Sequence, residues 1–119
     1  MIKRLLVVED VEEVAQMLKI AFESQSVPEV RISLSSAEAR IEISRRRPDF
    51  VLLDEVLPGE SALDFLKELQ TLKIPTLLMT GAKDYVGAPL PEGAIGRVLK
   101  PDWADLDGFI QSIIEKHLI

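Results

Sequence analysis

Four short and uninterrupted apolar runs constrain the fold of this chain more than any other feature of its sequence. They occupy residues 5–8, 50–53, 76–79 and, more weakly, 98–99. Runs of this length that do not alternate polar with apolar residues are typical of strands covered on both faces, as in a parallel sheet. Residues 29–34 alternate more clearly, so we expect them to form a fifth strand at an edge of that sheet.

Between these runs, the apolar residues recur with the spacing of a helix. Such stripes are found at Val11, Val14, Leu18, Ala21 and Phe22, within residues 36–46, and at Leu63, Leu66 and Leu69. A last helix is predicted after Asp102, with these residues facing the core: Trp103, Leu106, Ile110, Ile113 and Ile114. The alternation of strand and helix along the whole chain predicts one α/β domain over residues 1–119, with a parallel sheet and right-handed crossovers.

One segment does not fit this alternation. A helix is due between the fourth and fifth strands, but residues 87–93 contain two glycines and two prolines. Inside a helix, each proline costs about 3 kcal/mol and each glycine about 1 kcal/mol relative to alanine. We therefore expect at most a short helical turn near residues 82–86, followed by an irregular loop, so that the fourth helix is degenerate or missing.

The composition excludes several classes of protein. The 119 residues include 14 Lys and Arg against 20 Asp and Glu, so the formal charge is −6. An acidic domain is a poor partner for nucleic acid or an anionic membrane, because both are polyanions. The chain has no cysteine and a single histidine, His117, which excludes disulfides, thiolate metal sites and a cysteine nucleophile. Because no apolar run reaches the roughly 18 residues that a membrane span needs, we expect a cytoplasmic protein.

Polar residues follow the predicted strands at the edge where their carboxyl ends meet. In open parallel sheets, ligands bind beyond this edge. The residues found there are Glu9 and Asp10 after the first strand, Asp54 after the third, Thr80 after the fourth and Lys100 after the fifth. The topology therefore brings three carboxylates, one hydroxyl and one ammonium group together from distant parts of the sequence.

This set of groups has a common chemistry. Clustered carboxylates repel one another unless a cation lies among them, and hard oxygen ligands suit Mg²⁺. A bound metal would allow a phosphoryl group to approach an anionic aspartate, which is a known type of covalent acceptor. Taken singly, Asp10 is most simply a helix cap and Lys100 a surface lysine. Asp54 is less easily dismissed, because it ends an apolar run where an unpaired charge would be costly.

These residues and their surroundings resemble the receiver domain of bacterial two-component response regulators. The resemblance extends over the whole chain, and its motifs are LLVVED at 5–10, PDFVLLD at 48–54, LPG at 57–59, IPTLLMTG at 74–81 and VLKP at 98–101. It implies a doubly wound, flavodoxin-like (CheY-like) fold with a five-stranded parallel sheet in the order 2-1-3-4-5.

The resemblance also implies a role for each residue of the predicted site. Asp54 would be phosphorylated by a histidine kinase or a histidine phosphotransfer protein. Mg²⁺ would be held by Glu9, Asp10, Asp54 and the backbone carbonyl of Val56. Thr80, Gly81 and Lys100 would bind the phosphoryl group, and the Lys100–Pro101 peptide bond would be cis. Such a domain is not an enzyme beyond its own phosphotransfer and autodephosphorylation; it switches a downstream effector or a fused output domain.

The chain departs from the family pattern at Glu9, where aspartate is commoner, and in three further features. Ala62 stands where a glycine is usual, with Gly59 nearby, and the fourth helix is eroded. Arg97 occupies the place of an aromatic switch residue three positions before the lysine. Because a guanidinium is costly to bury in an apolar pocket, we expect Arg97 to stay at the surface and to seek a carboxylate or solvent. Phosphorylation would then act mainly on residues 82–94.

Other functions fit the sequence less well. A haloacid dehalogenase-type phosphatase needs a second aspartate two residues after the nucleophile, where this chain has Val56. A flavodoxin needs a Ser/Thr/Gly phosphate loop where residues 9–13 are mostly acidic, and no P-loop motif is present. A pseudo-receiver that docks partners without phosphorylation remains the alternative. The wide apolar surface of the last helix, including Phe109, is explained equally by core contacts and by a homodimer or partner surface. The sequence fits a stand-alone regulator and a part of a longer one equally.

Overall fold

The structure is a computed structural model that describes residues 2–119. Within this range, five parallel strands form one sheet in the order β2-β1-β3-β4-β5, which confirms the predicted topology. The strands are β1 (Arg4–Val8), β2 (Glu29–Ser33), β3 (Phe50–Asp54), β4 (Thr76–Thr80) and β5 (Ala94–Leu99). The helices are α1 (Glu12–Ser24), α2 (Ser36–Arg45), α3 (Ala62–Thr71) and α4 (Leu106–Ile113).

The helices cover both faces of the sheet, and each face has its own apolar core. One core joins the sheet to α1 and α4, with Phe22, Leu77 and Ile110 among its buried members. The other joins it to α2 and α3, with Val51, Phe65 and Leu78. Every residue of β3 and β4 is buried, as continuous apolar runs predict, whereas β2 alternates and lies at an edge.

The connection between β4 and β5 contains no α-helix, as its glycines and prolines predict. It begins with a 3₁₀ turn at Lys83–Tyr85 and then continues irregularly to Ala94. At Gly93 the backbone has a φ of 95°, a conformation that is easiest for glycine. The expected cis bond before Pro101 is wrong, because no peptide bond between described residues is cis. The trans form of a bond before proline is favoured by about 0.5–1 kcal/mol.

Three apolar residues of the predicted helical stripes are exposed: Leu63, which is 47% exposed in the first turn of α3, and two residues that lie where helices start. Val11 and Trp103 are 42% and 40% exposed. Both precede the first turn of a helix: Val11 precedes α1, and Trp103 lies in a 3₁₀ turn (Trp103–Asp105) before α4. The helical spacing therefore does not extend to them. The α4 helix continues into wider π-type turns at Ile114–Leu118. Among residues 2–119, no helix is long and apolar enough to span a membrane.

Candidate functional site

Three carboxylates come together where β1 and β3 end side by side. Glu9 and Asp10 follow β1, and Asp54 is the last residue of β3. One oxygen of each carboxylate lies within 4.8 Å of the other two. The side chains of Glu9 and Asp54 are buried, and Asp10 is half-buried. Asp10 is not a helix cap, since α1 begins after Val11 without a side-chain cap, so its carboxylate is available to the cluster.

Lys100, which follows β5, places its ammonium group between two of these carboxylates. Its Nζ lies 2.9 Å from Oδ2 of Asp54 and 2.9 Å from Oε2 of Glu9. The contact with Asp54 has the geometry of a hydrogen bond. The contact with Glu9 has only the distance of an ion pair, so Oε2 of Glu9 is buried with no hydrogen-bond donor among the described residues. The Lys100 ammonium is therefore paired with this oxygen by charge rather than by a well-directed hydrogen bond.

Burial and charge shift the protonation of these groups. Burial, assisted by the nearby Asp54 carboxylate, raises the pKa of Glu9 to about 7, although Lys100 opposes the shift. Burial alone would lower the pKa of Lys100, but its contacts with Asp54 and Glu9 outweigh burial, and the pKa is raised. Lys100 is therefore charged at neutral pH, while Glu9 is poised between its two protonation states.

The backbone after β3 fixes the orientation of the Asp54 carboxylate. The N–H of Val56 donates to Oδ1 of Asp54 over 3.0 Å, and Lys100 donates to Oδ2. The N–H of Glu55 continues the strand pairing by donating to the carbonyl of Met79 over 2.9 Å. Each oxygen of Asp54 thus has a donor, and the Val56 backbone, the predicted source of a ligand carbonyl, lies beside this carboxylate.

The predicted phosphoryl-binding residues line one surface pocket of about 390 Å³. Its walls include Asp10, Asp54, Val56, Thr80, Gly81 and Lys100. Glu9 does not line the pocket and lies buried beside Asp54 and Lys100. The structure thus brings together every residue predicted for the site except Arg97, and all of them but Glu9 line a space that is open to a small ligand.

Thr80 and Gly81 line the pocket at the end of β4, on the other side of β3 from the carboxylates that follow β1. Thr80 is fully buried, and its Oγ1 accepts a hydrogen bond from the N–H of Ala82 over 3.2 Å. The hydroxyl keeps its own proton for donation. A Cβ added to Gly81 would lie 3.8 Å from Cδ of Lys100, which is an ordinary contact, so the protein's own packing does not require glycine here.

Arg97 lies outside this pocket and is largely covered, contrary to expectation. Its side chain is only 5% exposed. The guanidinium donates to both carboxylate oxygens of Glu55, over 2.7 and 3.0 Å, and to the carbonyl of Ala88 over 2.9 Å. The expectation that Arg97 would seek a carboxylate is confirmed; the expectation that it would stay at the surface is wrong, because the bidentate ion pair offsets its burial.

Hydrogen bonds to α2 also fix the end of the β3–α3 loop that precedes α3. Glu60 accepts hydrogen bonds from the backbone N–H and the hydroxyl of Ser36, both over 2.8 Å, at the first turn of α2. Gly59 has a φ of 73°, and the Ser61 side chain caps α3 by accepting from the N–H of Asp64. Ala62 is buried in the first turn of α3, so the left-handed residue of this loop is Gly59.

The donor set fits a small, hard divalent cation. Three carboxylate oxygens are within mutual reach, and one residue of the set, Glu9, has a buried oxygen without a hydrogen-bond donor in the described structure. Oxygen ligands of this type suit Mg²⁺, which keeps several waters in sites with few protein ligands. The ammonium group of Lys100 already places one positive charge beside Glu9 and Asp54.

Comparison with known proteins identifies relatives over nearly the whole chain. The phosphate regulon transcriptional regulatory protein PhoB of Rhizobium meliloti is 32% identical over 107 residues, which are 85% of this chain and 47% of PhoB. The DNA-binding response regulator MtrA of Mycolicibacterium smegmatis is 33% identical over 102 residues, 83% of this chain and 44% of MtrA. The chain spans less than half the length of these relatives.

Solved structures share the fold. A CheY-like response regulator receiver domain from Methylobacillus flagellatus has 28% identity and a TM-score of 0.75, with 95% of this chain and 99% of that one covered. At 24% identity, the response regulator TrrA of Thermotoga maritima, solved in complex with Mg²⁺–BeF, has a TM-score of 0.76 over 93% and 98% of the two chains. The family model of the response regulator receiver domain matches residues 5–111. Since that match includes all five strands apart from Arg4 of β1, and every residue of the pocket, the chain belongs to the receiver domain family of response regulators.

Proposed function

We propose that this domain is the phosphoacceptor of a two-component phosphorelay and that Asp54 is the residue phosphorylated. The phosphoryl group would pass from a phosphohistidine of a histidine kinase or phosphotransfer protein to a carboxylate oxygen of Asp54, forming an acyl phosphate. The observation that carries this proposal is the position of Asp54 in the pocket, held by Val56 and Lys100 and flanked by Glu9 and Asp10.

Mg²⁺ is the cofactor that the acidic cluster supports. Glu9, Asp10, Asp54 and the carbonyl of Val56 would hold it, and it would neutralise the charge of the incoming phosphoryl oxygens. The buried Oε2 of Glu9 has the Lys100 ammonium 2.9 Å away but no well-directed hydrogen-bond donor among the described residues, and this free acceptor capacity supports the assignment. The Mg²⁺–BeF complex of TrrA, a protein of the same fold, is consistent with it.

The other pocket residues have complementary tasks. Val56 fixes the carboxylate of Asp54 through its N–H, so that the acceptor oxygen is presented in one orientation. Lys100 supplies a positive charge that can pair with a phosphoryl oxygen once phosphate is attached to Asp54. Thr80 can donate its hydroxyl proton to a second phosphoryl oxygen, since in its described hydrogen bond the hydroxyl oxygen only accepts, from the N–H of Ala82.

We further propose that the domain has no catalytic activity beyond its own phosphotransfer and autodephosphorylation, and that it acts in the cytoplasm. Its partners would be the kinase or phosphotransfer protein and a downstream effector or fused output domain. PhoB and MtrA, which carry the names of transcriptional or DNA-binding regulators, are more than twice as long as the part matched here. The formal charge of −6 does not favour direct nucleic-acid binding by this domain itself.

Intact-mass analysis after incubation with acetyl phosphate and Mg²⁺ tests the phosphoacceptor. We expect a single added phosphate in the wild-type protein and none in Asp54→Ala. Asp64→Ala, which removes an exposed carboxylate at the start of α3, is the matched control and should be labelled like the wild type. Equal labelling of Asp54→Ala would show that the acceptor is elsewhere.

Phosphotransfer profiling against the histidine kinases of the source organism then distinguishes a phosphorelay receiver from a pseudo-receiver that only docks partners. A receiver that takes part in a relay should accept phosphate from one kinase much faster than from the others. A pseudo-receiver should accept it neither from acetyl phosphate nor from any kinase. The buried carboxylates argue against a pseudo-receiver, because such groups destabilise a fold that has no use for them.

A further inference from the structure

The Arg97 side chain joins two parts of the molecule that are not otherwise neighbours in sequence. Two of its nitrogens bind the carboxylate of Glu55, directly after β3, and a third binds the carbonyl of Ala88, in the irregular segment between β4 and β5. The Arg97 and Glu55 side chains are 5% and 15% exposed. This is therefore a covered ion pair, unlike the half-exposed pair of Arg40 and Glu68.

The strand register explains how this contact is made. Arg97 is paired with Leu78 of β4, and Leu78 with Leu53 of β3. Since side chains alternate along a strand, Glu55 and Thr80, each two residues further on, point to the same face as Arg97. The ion pair therefore crosses β4 on the face to which the buried Thr80 points.

At one end, the ion pair acts on the backbone that shapes the phosphorylation site. Glu55 lies between Asp54 and Val56, and the N–H of Val56 orients the Asp54 carboxylate. Fixing the Glu55 side chain to a strand of the sheet restricts the position of both neighbouring residues. A displacement of Glu55 would move the N–H of Val56, together with the carbonyl that is a proposed metal ligand.

At the other end, the same guanidinium holds a segment with few other attachments. Within residues 86–93, the described hydrogen bonds to the rest of the fold are Arg97 to Ala88 and an exposed contact of 3.3 Å between Gln70 and Glu92. The remaining backbone bonds are local turns. Arg97 is thus the principal polar link between this segment and the sheet.

We propose that Arg97 is a positioning residue of the phosphorylation site, which couples the loop after Asp54 to residues 86–93 through Glu55. The coupling to phosphorylation rests on the proposed function; the positioning itself does not. Arginine suits this role better than lysine, because a planar fork can bind both oxygens of Glu55 and keep another nitrogen for the carbonyl of Ala88.

Hydrogen exchange of the metal-free protein tests the positioning directly. In Arg97→Met and in Glu55→Gln, we expect the amide of Val56 and the turn amides of Val86 and Ala94, which close the two ends of residues 86–93, to exchange faster, on the order of tenfold. Arg97→Lys keeps a charge for Glu55 but has no fork, so it should restore the protection of Val56 and leave residues 86–93 fast. Arg46→Met, which removes an ion pair with Glu29 near the opposite end of the sheet, should change neither region. Unchanged exchange of either region in Arg97→Met overturns the proposal.

Beryllofluoride with Mg²⁺, a stable substitute for the phosphoryl group, tests the coupling. In the wild type, it should alter the exchange of residues 86–93, and in Arg97→Met this response should fall severalfold even though the reagent still binds. An equal response in both proteins would overturn the coupling while leaving Asp54 as the acceptor. If the wild type binds no beryllofluoride and takes no phosphate, the proposed function fails, and the metal-free comparison still decides the role of Arg97.

Discussion

Lys100 donates a hydrogen bond to Asp54 over 2.9 Å, although the two residues are 46 positions apart in the sequence. The same ammonium lies 2.9 Å from a carboxylate oxygen of Glu9. One cation of the protein therefore pairs with two buried carboxylates. A divalent ion bound by Glu9, Asp10 and Asp54 would neutralise some of the same negative charge, so that Lys100 and the metal would stabilise the same carboxylates.

Replacement of Lys100 should make the domain depend on metal. Without the ammonium, Glu9 and Asp54 repel each other, and we expect Lys100→Met to lose about 2 kcal/mol of stability at pH 8 without metal. Saturating Mg²⁺ should recover most of this loss, since a ligand that binds only the folded state stabilises it. Thermal melting with and without Mg²⁺ measures both effects.

The control for this prediction is Lys67→Met, which removes an exposed lysine of α3. It should melt like the wild type and respond to Mg²⁺ in the same way. A similar Mg²⁺ stabilisation in Lys100→Met and in the wild type would contradict the view that the lysine and the metal share these carboxylates.

Metal binding should strengthen with pH around neutrality. Burial holds the pKa of Glu9 near 7, so a proton occupies this ligand in a growing fraction of molecules as the pH falls below that value. We expect the apparent affinity for Mg²⁺ to rise between pH 6 and pH 8 and then to level off. Titrations followed by Trp103 fluorescence or melting temperature measure this, and a flat profile from pH 6 to pH 8 would contradict it.

The same shift predicts the stability of the metal-free protein. The pKa of Glu9 is raised from 4.5 to about 7 on folding, so between these values the folded state binds more protons than the unfolded state. This contribution to stability is complete below pH 4.5 and is lost as the pH rises through 7. Glu9→Gln should therefore be more stable than the wild type at pH 8 without metal, and the difference should shrink toward pH 5.

The site residues at the strand ends could be predicted because topology alone brings them together. A continuous apolar run such as residues 50–53 identifies a buried parallel strand, and its next residue must lie at the carboxyl edge of the sheet. Asp54, Thr80 and Lys100 follow from that rule without any knowledge of side-chain positions. The missing helix after β4 was predictable for a similar reason, since proline and glycine act locally.

The contacts of Arg97 could not be predicted in the same way. Its partner Glu55 follows β3, two strands away across the sheet, so their contact depends on the registers of β3 with β4 and of β4 with β5. Sequence spacing does not contain those registers. The desolvation cost disfavours burial of a lone guanidinium, but the bidentate carboxylate of Glu55 and the carbonyl of Ala88 offset that cost here. Trp103 was misplaced because helical spacing says nothing about where the first turn begins.

The apolar surface formed by α4 and the 3₁₀ turn before it is a candidate contact for a second copy of the domain. Trp103 is 40% exposed, and Phe109 lines a groove with Val98, Leu99 and Ile113. We expect light scattering to show a dimer in the phosphorylated form that Trp103→Glu abolishes. Trp103 is a better probe than Phe109, which packs partly against the core. A monomer in both phosphorylation states would leave core packing as the sole explanation of this apolar helix.

The two loop glycines without close neighbours should respond oppositely to alanine. A Cβ added at Gly59 or at Gly87 meets no atom within 4 Å, so sterics beyond the local backbone play no part at either position. Gly59 has a φ of 73°, where alanine is strained, and Gly59→Ala should lose about 1 kcal/mol. Gly87 is outside the left-handed region, and Gly87→Ala should be neutral or stabilising by up to about 1 kcal/mol, because alanine restricts the unfolded chain.

Urea denaturation of the two variants measures these stabilities, and Mg²⁺ adds a second comparison. Gly59 belongs to the loop that carries the Val56 carbonyl, whereas Gly87 lies in the segment held by Arg97. If that carbonyl is a metal ligand, Gly59→Ala should also reduce the stabilisation by Mg²⁺, and Gly87→Ala should leave it unchanged. Equal losses of stability in both variants would show that the loop does not require the left-handed backbone conformation at Gly59. An unchanged Mg²⁺ stabilisation in Gly59→Ala would show that metal binding does not depend on the conformation of this loop.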